Sequence, residues 1–217
     1  MTSSGRARSR RGLLGALLAV GTSTGALAWA TDGFRALTLD GARAAAVAAA
    51  PRPLPVVTWL DPTARVRWDD GLVTIVDFVS TSCEAICLAQ GTRFASLQRT
   101  LRARGRRTPI RLLTIAFDPA DDARRLDAWR EARGVDGEWW DVARVAPDDR
   151  AMLLRTFGVT VVRDPAGGWR HNAAFHVVDG RGRLARIVPA DDADQALRAA
   201  DSLAVPAVLA RAPEPPR

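Results

Sequence analysis

The chain has 217 residues, of which 47% are hydrophobic and 25% charged, enough for one ordinary domain with extensions. Its two cysteines exclude a disulfide-rich scaffold and suffice for one working pair. The net charge of +7 suggests nucleic acid at first sight, but every basic residue is arginine, four of them fall in the first twelve residues, and the rest are scattered among aspartates with no aromatic stripe, so no nucleic-acid partner is expected.

The amino terminus reads as a targeting segment. Arg6, Arg8, Arg10 and Arg11 precede an uncharged stretch from Leu13 to Ala30. That stretch is close to the ~20 residues a membrane span needs. Ala28-Trp29-Ala30 is also a small-x-small cleavage site, and Ser9-Arg10-Arg11-Gly12-Leu13-Leu14 resembles a twin-arginine export signal. All three readings agree on export. The domain is then either anchored in the cytoplasmic membrane, facing the extracytoplasmic side, or released there after leader cleavage.

Residues 1–30 are thus expected to be leader, anchor or signal peptide. Residues 31–55 form an alanine-rich spacer ending in Pro51-Arg52-Pro53-Leu54-Pro55, residues 56–203 the domain, and residues 204–217 a frayed proline-rich tail. Within the domain, Leu72–Val79 is a continuous apolar run broken only by Thr74 and Asp77, the pattern of a buried strand. A helix follows from about Glu84 to Arg104, with Cys87, Phe94, Leu97 and Leu101 on one face. Pro109–Phe117 is a second buried strand. Asp121 or Asp122 caps a helix to about Arg133. A shorter helix follows Pro147-Asp148-Asp149. Ala173–Val178 and Arg183–Val188 flank the glycine-rich turn Asp179-Gly180-Arg181-Gly182, which makes a hairpin. A last helix spans Asp191 to Leu203. This succession predicts an α/β, thioredoxin-like fold, a central sheet flanked by helices.

The chemistry concentrates at Cys83 and Cys87, in Ser80-Thr81-Ser82-Cys83-Glu84-Ala85-Ile86-Cys87. They follow the first strand and open the helix, where the helix dipole favours the thiolate that attacks disulfides and binds soft metals. The C-x-x-x-C spacing differs from the C-x-x-C of disulfide oxidoreductases and fits two thiolates converging on one metal from successive turns. A third ligand must come from the two histidines. His171, just before the hairpin in a loop expected beside the cysteines, is the stronger candidate. His176 lies inside a strand, where a histidine is usually packed. Two thiolates and one imidazole make a soft site for copper(I) or zinc. Zinc requires a fourth ligand, for which Asp118 is available. A redox pair or a structural Cys83–Cys87 disulfide remain alternatives.

These motifs together resemble the Sco/SenC family of thioredoxin-like copper proteins. Cys83 and Cys87 match its C-x-x-x-C. Asp118-Pro119-Ala120-Asp121-Asp122 matches its strand-end Asp-Pro-x-x-Asp. His171 matches its histidine eight residues before the hairpin turn at Asp179. The resemblance implies a membrane-anchored metallochaperone that binds copper through Cys83, Cys87 and His171, and delivers it to, or reduces the cysteines of, the copper-site subunit of a respiratory oxidase. The alternative is a thiol-disulfide oxidoreductase in which Cys83 and Cys87 are the catalytic redox pair. Departures from the family pattern are Glu84 and Leu88, where prolines usually flank the cysteines, and Arg170, which replaces an acid before His171.

Overall fold

The computed structural model describes residues 21–23, 38–61, 66–83, 86–105, 108–165 and 168–204, without the side chains of Ile86 and Cys87. Most of the expected leader, its cleavage site and its twin-arginine motif lie outside these residues, as do spacer residues 31–37 and tail residues 205–217. Among the described residues no helix is long and apolar enough to cross a membrane. The chain divides into two units, Met1–Ala46 and Val47–Arg217. Helix α1 (Leu39–Ala49) crosses the boundary between them. Its start is held locally, since the Thr38 hydroxyl accepts from Gly41 N at 3.0 Å and Arg43 pairs with Asp40 at 2.9 Å.

The second unit is built on one mixed sheet. In chain order its elements are β1 (Arg52–Pro53), β2 (Val73–Val79), α2 (Ile86–Arg104), β3 (Ile110–Ala116), α3 (Ala123–Arg133), β4 (Trp140–Arg144), α4 (Pro147–Phe157), β5 (Val161–Arg163), β6 (Trp169–His171), β7 (Ala174–Val178), β8 (Arg183–Pro189) and α5 (Ala193–Leu203). The six-stranded sheet has the order β1-β8-β7-β2-β3-β4, and β5 and β6 form a separate pair. Strands β2, β3 and β4 are parallel, whereas β7 and β8 are an antiparallel hairpin added beside β2. The thioredoxin-like expectation is borne out. The two central strands read continuously apolar because both of their faces are covered.

Alternation along β2 sorts its side chains to two cores. Val73, Ile75 and Val79 face a layer with Phe94, Leu97 and Leu101 of α2, Trp129 of α3 and Ala196, Leu197 and Ala200 of α5. Val76 and Phe78 face the opposite layer with Leu153 and Phe157 of α4 and Trp68. Parallel strands β2 and β3 end at the same edge, where the Phe117 N–H donates to Val79 O at 3.0 Å. Ser80 and Asp118 therefore leave adjacent strand ends, the usual location of sites in open α/β sheets.

Four strands, β1, β4, β5 and β6, have no counterpart in the sequence expectation. In β4, Asp141 and Arg144 interrupt the apolar pattern. His171, expected in a loop, lies in β6 and pairs with Val161 of β5.

The hairpin turn is placed by a close approach. Gly71 N donates to Gly180 O at 3.1 Å, and a Cβ on Gly180 would lie 2.8 Å from the backbone of Gly71. Backbone cannot yield as a flexible side chain does. Gly180→Ala is expected to lower stability by about 1–3 kcal/mol, the cost of overpacking. A urea midpoint unchanged in this variant would show that the turn and the start of β2 separate freely.

Candidate metal and thiol site

The loop after β2 is a turn closed on itself, with Cys83 N donating to Ser80 O at 3.1 Å. The buried Ser80 sets its depth. The Ser80 and Ser82 hydroxyls are 2.7 Å apart and lie 3.0 Å and 3.3 Å from Asp118 Oδ2. The other Asp118 oxygen accepts from Ala120 N at 2.9 Å. Asp121 grips the same loop one residue on, accepting from Thr81 N at 3.1 Å and from the Thr81 hydroxyl. Asp122, the third acid of the run, caps α3 by accepting from Arg125 N at 2.8 Å. Each member of the Asp-Pro-x-Asp-Asp segment thus has its own task, and two of them hold the cysteine loop in place.

Charge follows from these bonds. Burial pushes the Asp118 carboxyl up, but the Ala120 amide, the adjacent Trp169 indole and the two serine hydroxyls outweigh it and hold the group below the ordinary carboxylate range. The indole N–H is close to Asp118 yet makes no hydrogen bond of normal geometry. Asp121 goes the other way, raised first by burial, while the bonds from Thr81 oppose the shift.

His171 approaches from β6. Its ring packs edge-on against Phe117, with centroids 5.2 Å apart, and Trp169 packs against the same ring at 6.3 Å. Phe117 immediately precedes Asp118, so β6 brings the imidazole to the strand-end residue whose neighbour holds the cysteine loop. Asn172 fixes that approach, because its side chain accepts from Thr160 N at 2.7 Å and donates to Gly158 O at 3.1 Å. His171 Nδ1 lies 3.3 Å from Asn172 O. A carbonyl only accepts, so this contact places the proton on Nδ1 and the lone pair on Nε2. Burial lowers the His171 pKa below its ordinary value, and the Asn172 carbonyl opposes this less strongly. Burial thus favours the neutral imidazole, the form that binds metal.

The other candidates resolve clearly. His176 is packed as expected, 2% exposed and edge-on to both Phe78 and Phe157. Cys83 packs against the α2-side core. Among the described residues, no three His, Cys, Asp or Glu side chains form a group that could hold a metal. Cys87 lies on the first turn of α2, and its side chain is outside the description. The sequence reading missed Ser80, Ser82 and Asp121 as supports of the loop. Their signal was present, since hydroxyl residues at a strand end facing a run of acids are natural partners.

Residues 67–204 match the SCO1/SenC family. The chain belongs to this family. A search of curated proteins finds no match. Among solved structures, BsSco, described as a member of the Sco family of cytochrome c oxidase assembly proteins with a disulfide switch, is 20% identical with a TM-score of 0.57, covering 71% of this chain and 96% of that one. A SCO1/SenC family lipoprotein from Bacillus anthracis is also 20% identical, with a TM-score of 0.53 over 63% of this chain and 84% of that one. Copper-bound ScoI from Arabidopsis thaliana is 13% identical, with a TM-score of 0.52 over 62% and 86% of the two chains. At these identities the likeness of this SCO1/SenC chain to solved structures is one of fold.

Proposed function

We propose that this SCO1/SenC chain is a copper metallochaperone for the copper-site subunit of a cytochrome oxidase, binding the metal through Cys83, Cys87 and His171. The observation that carries this reading is the approach of the His171 imidazole, packed on Phe117, to the strand end where Asp118 fixes the cysteine loop. The donor set is two thiols and one imidazole, which suits soft copper(I). Zinc is disfavoured because Asp118, the expected fourth ligand, is engaged by Ser80, Ser82 and Ala120. Copper supplies the cargo. The protein's part is to present Cys83 on a turn fixed by buried hydrogen bonds and to hold the His171 tautomer with its lone pair on Nε2.

The reduced chain is expected to bind one copper ion, as measured by metal analysis after gel filtration. Cys83→Ser and Cys87→Ser each abolish tight binding, since one thiolate and one imidazole make a poor copper(I) site. His171→Ala weakens binding strongly. Stoichiometric copper in both serine variants would refute the assignment. A second reading, thiol-disulfide exchange by the same cysteines, is favoured by the packing of Cys83 against an apolar layer that holds a buried acid. Exchange needs a thiolate and a resolving thiol but no imidazole ligand. His171→Ala then leaves disulfide reduction largely intact while copper is lost.

The domain is proposed to act on the extracytoplasmic side, either tethered by residues 13–30 or released after cleavage. Mass spectrometry of the mature chain is expected to find an intact leader in the membrane fraction. An amino terminus at Thr31 refutes the tether.

A further inference from the structure

A second side chain of β6 reaches toward the cysteine loop. Trp169 stands two residues before His171, so alternation puts both rings on one face of the strand, and both pack edge-on against Phe117. Across the pair, Arg163 of β5 is the register partner of Trp169, and its guanidinium lies 4.1 Å from the centre of the indole. These contacts seat the ring, and neither uses its N–H. Trp169 Nε1 is buried and makes no hydrogen bond of normal geometry. Most buried donors have a partner, and an exception asks for a reason.

The acceptor beside that N–H is Asp118. Burial raises the Asp118 carboxyl, and the indole, after the Ala120 amide, acts to hold it below the ordinary range. The same carboxylate takes the Ser80 and Ser82 hydroxyls at 3.0 Å and 3.3 Å, and both serines belong to the turn that Cys83 N closes on Ser80 O. β6 needs such a connection. It pairs with β5 outside the six-stranded sheet, so among the described residues no ladder sets its position against β2 and the turn that follows. The anchors of Asn172 run to Thr160 and Gly158, not to the cysteine loop.

We propose that Trp169 is a positioning residue, whose indole N–H, tied to Asp118, holds the strand that carries His171 in register with the turn that carries Cys83. This deepens the reading of Cys83 and His171 as donors to one copper ion and rests on it. Donors must be held within about 0.5 Å of the productive geometry, by neighbours that are themselves locked in place. Here the thiol and the imidazole come from segments far apart in the chain, and the side-chain tie supplies the register that a ladder would otherwise give. Arg163 and Phe117 fix the ring, the ring fixes the direction of the N–H, and the N–H meets the acid that holds Ser80 and Ser82. Groups outside the donor set that orient the donors commonly govern metal affinity.

Two measurements on the reduced full-length chain test this. In the metal-free chain, the Trp169 indole N–H resonance, assigned by its loss in Trp169→Phe, is expected to move upfield in Asp118→Asn, where an amide oxygen replaces the stronger carboxylate acceptor. An unmoved resonance overturns the tie, whether or not the chain binds copper. Trp169→Phe keeps a ring between Phe117 and Arg163 and deletes the N–H. It should weaken copper(I) binding about 10-fold in competition with a chelator, the low end for loss of a group that orients a metal ligand. In that background His171→Ala should cost less than in wild type, because an imidazole already out of register has less to lose. Asp118→Asn breaks the tie from the acceptor side, should weaken copper in the same direction, and carries the test if Trp169→Phe does not fold. A lowered urea midpoint with wild-type copper affinity and an undiminished His171→Ala effect would mark a merely structural role and overturn the proposal. A wild-type chain that binds no copper overturns the copper reading and the proposal with it, and the resonance shift distinguishes that failure from a missing tie.

Discussion

Asp77→Asn is expected to make the domain more stable than wild type at pH 8, with the advantage fading as the pH falls toward 4. Burial raises the Asp77 pKa to about 7 in the folded chain, against an ordinary value of 3.8. Below about pH 4 both folded and unfolded chains hold the proton, and its titration adds no cost. Between about pH 4 and 7 the unfolded chain has lost the proton and the folded chain keeps it, so wild-type stability declines as pH rises. Above about pH 7 the folded chain carries a buried charge and the penalty is complete. A difference of about three pKa units corresponds to roughly 4 kcal/mol, large beside the 5–15 kcal/mol of a typical domain. Asparagine has the same shape and no titration, so the stability difference between the two proteins is the readout. Urea unfolding at pH 4, 6 and 8 measures it. A difference independent of pH would show that Asp77 titrates normally, in contact with water.

Trp140→Ala is expected to be the most damaging substitution in the core. The indole is fully buried, edge-on to Phe94 at 5.6 Å and to Trp129 at 5.7 Å, and its N–H bonds the Thr114 hydroxyl. Truncation opens a cavity where α2, α3 and the sheet meet. It also removes the donor that satisfies a buried hydroxyl beside Asp77. The expected loss is about 3–5 kcal/mol, the range for large aromatic truncations. Trp140→Phe keeps most of the volume and loses only the hydrogen bond, so it should cost much less. A loss under about 1 kcal/mol for the alanine variant would mean that the helices close over the gap.

Much of this was legible in the sequence. β2 and β3 stood out because their apolar runs end in polar turn residues, and β7–β8 because Asp179–Gly182 marks a hairpin. The cysteine loop, the acidic segment at Asp118 and His171 were all identified, and the fold brings the loop, the acidic segment and β6 to one edge. Other features were hidden for physical reasons. β4 is short and carries Asp141 and Arg144, so its alternation is weak. β6 earns its place by pairing with β5 and by the side-chain anchors of Asn172, neither of which has a local pattern. Asp77 looked like an interruption in an apolar run, and its isolation appears only when α2 and α3 cover that face. Asp118 had the chemistry of a ligand, and only the folded loop reveals that Ser80 and Ser82 claim it.

The segment from Arg52 to Asp61 has a consequence for solubility. Its first residues pair with β8 at one side of the sheet, and Leu54 N donates to Gly182 O at 2.9 Å. Its last residues reach the opposite side, where Leu60 N donates to Arg144 O at 2.9 Å and Asp61 clasps the Arg144 guanidinium at 2.9 Å. One stretch of chain thus blunts both margins of the sheet. Unpaired margins are templates on which further strands add, and this is how folded domains begin to aggregate. The residues that join spacer to domain therefore also act as gatekeepers against self-association, and a fragment begun after Asp61 would leave both margins open.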